Sequence, residues 1–163
     1  MLEVLDLSES EIAQLLERVG YGHLACCRDG KPYVVPIHYG YAEDKIYVYT
    51  TEGKKSEIIS ENPNVCLQVE EVIDERRWQS VIVEGQAVRL TASDAREEAI
   101  AAVTAVNPTL TPAVSIRWMD AWVRENIEAV YRIDIEGTSG RRSLDRSGRS
   151  EIVPQNLRTE IRH

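Results

Sequence analysis

Three runs suited to β-strands follow one another with almost no chain between them. Residues 23–28 and 32–41 flank Asp29 and Gly30, and residues 45–51 come straight after Ala42, Glu43 and Asp44. An Asp-Gly pair between strands predicts a tight hairpin, because glycine accepts the positive φ such turns require. Parallel strands need a crossover of about a dozen residues or more, so links this short impose antiparallel pairing. Whatever this chain folds into must be built around a β-meander.

The rest of the chain extends that frame. Residues 65–73 and 80–90 read as strands, with Gly85 marking a bulge or bend. Residues 127–136 read as a last strand, in which Ile133 and Ile135 alternate with polar neighbours. Ser8 and Glu11 have capping-box spacing, and Ile12, Leu15, Leu16 and Val19 then recur at helical intervals until Gly20 and Gly22. A short helix is predicted from Gly53 to Asn62, stopped by Pro63. Another opens at a Ser93/Asp94 cap and runs to about Val106, followed by a loop at 107–112 and a helix over 115–125. Six strands on one core point to a small closed β-architecture, mainly β (α+β), with flanking helices. Residues 1–136 form the domain, and 137–163 an Arg-rich C-terminal extension.

Charge narrows the class of partner. The net charge is -8, yet residues 137–163 hold six arginines against three acidic residues, so the body carries -11. An acidic body argues against nucleic-acid binding, which needs a basic surface. The tail reads as a nucleic-acid arm, a solvated extension or a strip along a partner subunit. No stretch approaches the roughly 20 apolar residues of a membrane span. The N-terminus has no basic region followed by an apolar run, so a cytoplasmic location is expected. Cys26, Cys27 and Cys66 lack C-x-x-C or zinc spacing and read as small buried residues, and His23, His38 and His163 form no ligand motif, so no metal site is expected. Glu70, Glu71, Asp74 and Glu75 read as a solvated turn. Trp118 and Trp122, four apart, read as one packed helical face, and Arg117 and Arg124 as surface residues.

The segment from Tyr47 to Ser56 (YVYTTEGKKS) carries the chemistry. A strand ends in hydroxyl residues, turns at Gly53, presents Lys54 and Lys55, and enters a helix. A phosphate monoester asks for this set: helix N–H groups, full positive charges, and a hydroxyl donor from Thr50 or Thr51. A solvated lysine pair is the alternative, although positive charge is slightly unfavourable in a helix's first turn.

Several further pieces come in order. They are Gly22 to Ala25 (GHLA), Asp29 to Pro36 (DGKPYVVP), Tyr39 to Tyr41 (YGY), Ile46 and Tyr47, Gly53 to Lys55, Asn62 to Cys66 (NPNVC) and Ser80 to Gly85 (SVIVEG). The set resembles the pyridoxamine 5'-phosphate oxidase-like, FMN-binding split-barrel superfamily, near its nitroimidazole-resistance (Nim-like) branch, over residues 5–136. The resemblance implies a six-stranded antiparallel split β-barrel. It also implies a homodimer with two FMN molecules in clefts between subunits. By the same resemblance, Tyr49 and Thr50, with Thr51 beside them, line the flavin site. Lys54 and Lys55 grip the FMN phosphate, Ser80 sits near the ring, and Val35, Pro36, Ile37 and His38 form the strand along it. A role for Arg141 and Arg142 near the cofactor also follows from the resemblance, since relatives often show Thr-Gly-Lys there. Relatives also use F420 or haem. The implied activity is electron transfer from a nicotinamide donor to a small organic acceptor, with a non-enzymatic flavin-binding or sensing module as the alternative. Departures are specific. Tyr39 stands where the oxidases carry a substrate-phosphate lysine, and two further oxidase motifs are missing, so pyridoxamine phosphate oxidation is not expected. Tyr49 stands where the Nim-like branch often has histidine.

Overall fold

The computed structural model describes residues 2–106 and 128–145. The elements are β1 (Leu2–Asp6), α1 (Glu9–Val19), β2 (Tyr21–Arg28), β3 (Lys31–Ala42), β4 (Lys45–Thr51), α2 (Lys54–Glu61), β5 (Asn64–Asp74), β6 (Arg77–Arg89), α3 (Ser93–Thr104) and β7 (Glu128–Asp145). Every strand pairing is antiparallel. The pairings run β7–β4–β3–β2–β5–β6 and return to β7, closing a ring of six strands. The architecture is the split-barrel type expected from the sequence. The helix over 115–125, the loop at 107–112, the residues Arg117, Trp118, Trp122 and Arg124, and the chain after 145 lie outside the described residues.

Local chemistry sets the turns. Asp29 and Gly30 have φ of 52° and 73°, and Glu43 and Asp44 have 51° and 59°. Both two-residue turns therefore have positive φ at both central positions, the hairpin geometry that matches strand twist. Ser8 accepts from the Glu11 N–H while Glu11 accepts from the Ser8 N–H, and Gly20 ends α1 at φ 75°. At α3 the capping residue is Ala92, one position before the expected pair, and Asp94 instead accepts from the N–H of Ala95.

β3 explains why the ring is split. Its first part pairs with β2 and its last four residues with β4. The Tyr39 N–H donates to Gly20 O at 3.0 Å, so odd-numbered residues of β3 aim their N–H groups at β2. Pro32 and Pro36 therefore fall where the missing N–H removes no ladder bond. No described strand covers the other edge of β3 between Lys31 and His38.

Beyond shifts of one to three residues at other strand ends, such as β6 starting at Arg77 and not Ser80, two larger departures from the sequence reading appear. β1 is a seventh strand, laid along residues 141–145 of β7. β7 itself continues to Asp145 instead of stopping at Glu136. Gly137 to Arg142 have weak strand preference, but β6 on one side supplies the ladder partners they lack by composition. Gly85 is the bend anticipated from the sequence: the β6–β7 register shifts there, and a Cβ would meet Asp134 O at 2.3 Å.

The core fills the ring. Leu24, Ile46, Val48, Leu67, Val69, Val81, Val83, Ala129 and Ile133 point inward, and α1 closes one end with Leu15 and Leu16. Each fully buried branched side chain contributes about 1.5–3 kcal/mol. A second cluster lies outside the ring, where Tyr47, Tyr49, Val130 and Leu90 pack under Ala99 and Val103 of α3. Gly40 permits that contact, since a Cβ there would meet the Ala102 backbone at 2.4 Å. Glu71 departs from the solvated turn expected for its segment. It is buried, paired with Arg18 at 3.0 Å and bonded by Gln79 at 2.8 Å. Alternation turns Glu71 inward while Glu70 stays exposed. No helix among the described residues is long and apolar enough to cross a membrane.

Candidate functional site

The corner where β4 passes into α2 gathers part of the expected set. Thr50 lies on the inner face of β4, in step with Ile46 and Val48. The Lys55 ammonium donates to Thr50 Oγ1 at 2.6 Å, and the side chain is half-buried. Burial pulls the Lys55 pKa below its ordinary 10.5. The neighbouring group is the buried Cys26 thiol, which burial pushes up while the Lys55 charge opposes the shift. Lys54 is exposed and sits 4.8 Å from the centroid of the Tyr33 ring.

The turn itself is closed by Ser56, whose hydroxyl accepts from the Gly53 N–H at 2.9 Å and donates to Gly53 O at 2.8 Å. Gly53 is extended, so no strain demands glycine there. Its missing side chain leaves open space, because a Cβ would meet no protein atom within 4 Å. Glu52 would oppose an anion, but the nearby Ser56 hydroxyl and the paired Arg89 guanidinium hold its carboxyl pKa below the ordinary value. Two cations, one hydroxyl and an uncrowded helix start thus face one corner, a donor set that fits a phosphate monoester.

The other expected residues lie elsewhere. Val35 and Ile37 point into the ring, leaving only their backbone to a ligand, while Pro36 and His38 face outward. His38 is 8% exposed, and its Nε2 is buried with no hydrogen-bond partner among the described residues. Tyr49 is turned away from Thr50 and packs beneath α3. Thr51 is half-buried beside it. Ser80 is on the outer face of β6, five residues from Gly85, which lies level with Val65 and Cys26. That is about 17 Å along the strand from the lysine corner, and on the opposite face.

Ser80 lines a groove of about 560 Å³ with Ile82, Ser139, Arg141, Asp6 and Glu9. Arg141 and Asp6 face each other at 3.8 Å across its exposed rim. Arg142 points away and pairs with Glu11 at 3.1 Å. Tyr39 is fully buried and its hydroxyl donates to Leu16 O at 2.7 Å, so the position of the oxidases' lysine is here part of the core.

Residue-type patterns missed Tyr33 and Cys26 as neighbours of the lysines. The hairpin register places these two opposite each other, and that pairing is the signal that could have found them.

The sequence profile described as pyridoxamine 5'-phosphate oxidase matches residues 8–142. The chain belongs to this family. A FAD-binding protein from Mesorhizobium loti is similar in structure, with a TM-score of 0.74 and 31% identity, over 89% of this chain and 100% of that one. A candidate 5-nitroimidazole antibiotic resistance protein from Bacteroides thetaiotaomicron shares the fold at a TM-score of 0.68 and 18% identity, over 89% of this chain and 92% of that one. The FAD and haem binding protein from Mycobacterium smegmatis shares it at 0.63 and 18%, over 85% and 72%. An uncharacterized protein of Rhizobium meliloti (strain 1021) is 36% identical over 87 residues, which is 53% of this chain and 58% of the relative's length.

Proposed function

We propose that this protein is an FMN-binding flavoprotein that works as a homodimer and passes electrons from a nicotinamide donor to a small organic acceptor. The observation that carries the reading is the corner itself. Lys55 is half-buried and tied to Thr50, and Lys54 stands beside it at an open helix start. Two charge-assisted contacts at about 1.5–3 kcal/mol each would hold the phosphate. The uncovered edge of β3 would carry the ring's polar rim, with Pro36 and His38 on the side facing it. The His38 Nε2, with no partner among the described residues, favours this, since an orphaned buried nitrogen costs about 1–3 kcal/mol until something bonds it.

A second copy completes the site. A mononucleotide anchored at the lysines of one chain cannot also reach Ser80 of that chain around to the opposite face. Ser80 and its groove would therefore meet the flavin bound to a partner. Val34, Val72 and Ile82, on three different strands of the outer face, stand 61%, 52% and 36% exposed, and each would give a partner a separate apolar contact.

When bound, the flavin supplies hydride and single-electron chemistry; the protein's residues bind, orient and shield it. No described side chains form an acid/base or nucleophile arrangement, so the chain contributes placement and electrostatics. Because Tyr39 is sealed in the core, oxidation of pyridoxamine phosphate is not the proposed reaction. FAD is the second reading, favoured by the FAD-binding relative at 31% identity. The test is a titration of purified protein with FMN, FAD and riboflavin, followed by turnover with NADH or NADPH and a panel of acceptors. A protein that stays colourless with every flavin overturns the reading. Bound flavin without turnover leaves the non-enzymatic module.

A further inference from the structure

The two lysines are neighbours in sequence but are held in different ways. Lys55 is fixed by a hydrogen bond from below, on the inner side of the ring. Lys54 projects into solvent and has no carboxylate partner among the described residues, yet its ammonium stands 4.8 Å over the Tyr33 ring. Tyr33 is half-buried on the inward row of β3 and packs against the core, so it is a firm shelf and not a mobile surface residue. An unrestrained lysine loses rotamer freedom when a ligand fixes it. One already held over an aromatic face loses less.

We infer that Tyr33 is a positioning residue for the anion corner: its ring holds the Lys54 ammonium beside the first turn of α2, ready for a phosphoryl group. This rests on the flavin phosphate reading and deepens it. It assigns the lysines distinct roles, Lys55 as the charge fixed by Thr50 and Lys54 as the charge steered by an aromatic shelf. The shelf acts on the phosphate alone, so it discriminates phosphorylated ligands from their dephosphorylated forms.

The test compares FMN with riboflavin, which has the same ring and no phosphate, by fluorescence titration of the full chain. Tyr33→Leu is expected to weaken FMN about three- to fivefold and to leave riboflavin unchanged. Tyr33→Phe keeps the ring face and is expected to behave as the parent. In a Lys54→Met background, Tyr33→Leu is expected to add nothing, since the two act as one unit. Equal weakening of FMN and riboflavin by Tyr33→Leu would overturn the proposal, because the ring would then be packing on the flavin or supporting the strand. So would a Phe variant as weak as Leu. A parent protein that binds neither ligand would instead remove the flavin reading, and this inference with it.

Discussion

The lysine corner and the Ser80 groove sit at opposite ends of the same ring and are built on opposite principles. The corner is narrow in chemistry: two cations, a hydroxyl, and an acid cancelled by Arg89. The groove is mixed, with an exposed Arg141–Asp6 pair, hydroxyls and an apolar floor, and the Glu71–Arg18 pair lies near that end of β5 and β6. A corner of that kind can hold a charge by itself. A groove of that kind can shape the surroundings of a ring but has nothing strong enough to anchor one. Under the proposed reading, the difference assigns affinity to one place and specificity to the other, so that each should be removable without the other.

The largest effect should come from the corner. Lys54→Ala with Lys55→Ala is expected to weaken FMN by roughly 2–4 kcal/mol, with little change for riboflavin, as read by parallel titrations. Unchanged FMN affinity would mean that the phosphate is held elsewhere. At the groove end, Glu71→Ala strands Arg18 and Gln79 and is expected to cost about 2 kcal/mol of stability by denaturant unfolding. The same variant, measured while folded, should keep the parent's ratio of FMN to riboflavin affinity; an altered ratio would couple the two ends. Ser80→Ala is expected to weaken both ligands equally, by about 1 kcal/mol, because it touches the ring side and not the phosphate. A selective loss of FMN would break the comparison. The smallest effect is the pH response. Burial lowers the Lys55 pKa, so it sheds its proton at lower pH than a free lysine and its attraction for the phosphate fades as pH rises through that lowered value. FMN affinity should therefore decline on the alkaline side before an ordinary lysine would titrate, and Lys55→Arg should flatten the decline.

The corner was legible because its signals are local. Hydroxyls, Gly53 and two lysines within a few residues define a charge and a helix start in any tertiary setting. The groove was not, since Asp6, Ser80 and Arg141 are far apart in the chain and meet only through the β1–β7 and β6–β7 ladders. Glu71 was misjudged for the same reason: its neighbours in sequence are acidic, and its neighbour in space is Arg18. Tyr49 and Thr50 were grouped by the family resemblance, whereas strand alternation sends one under α3 and the other toward Lys55.

The sequence by itself determined the antiparallel meander, both tight turns, the capped first helix, the bend at Gly85 and the lysine pair at the start of α2. Each depends on dihedral preference, periodicity or charge within a few residues. Tertiary structure alone decided which face each residue shows, that β7 runs on to Asp145, that Tyr33 lies under Lys54, and that Ser80 stands far from the lysines. Those outcomes depend on register between strands distant in the chain, where one residue of slip reverses every side chain, and no local preference encodes that.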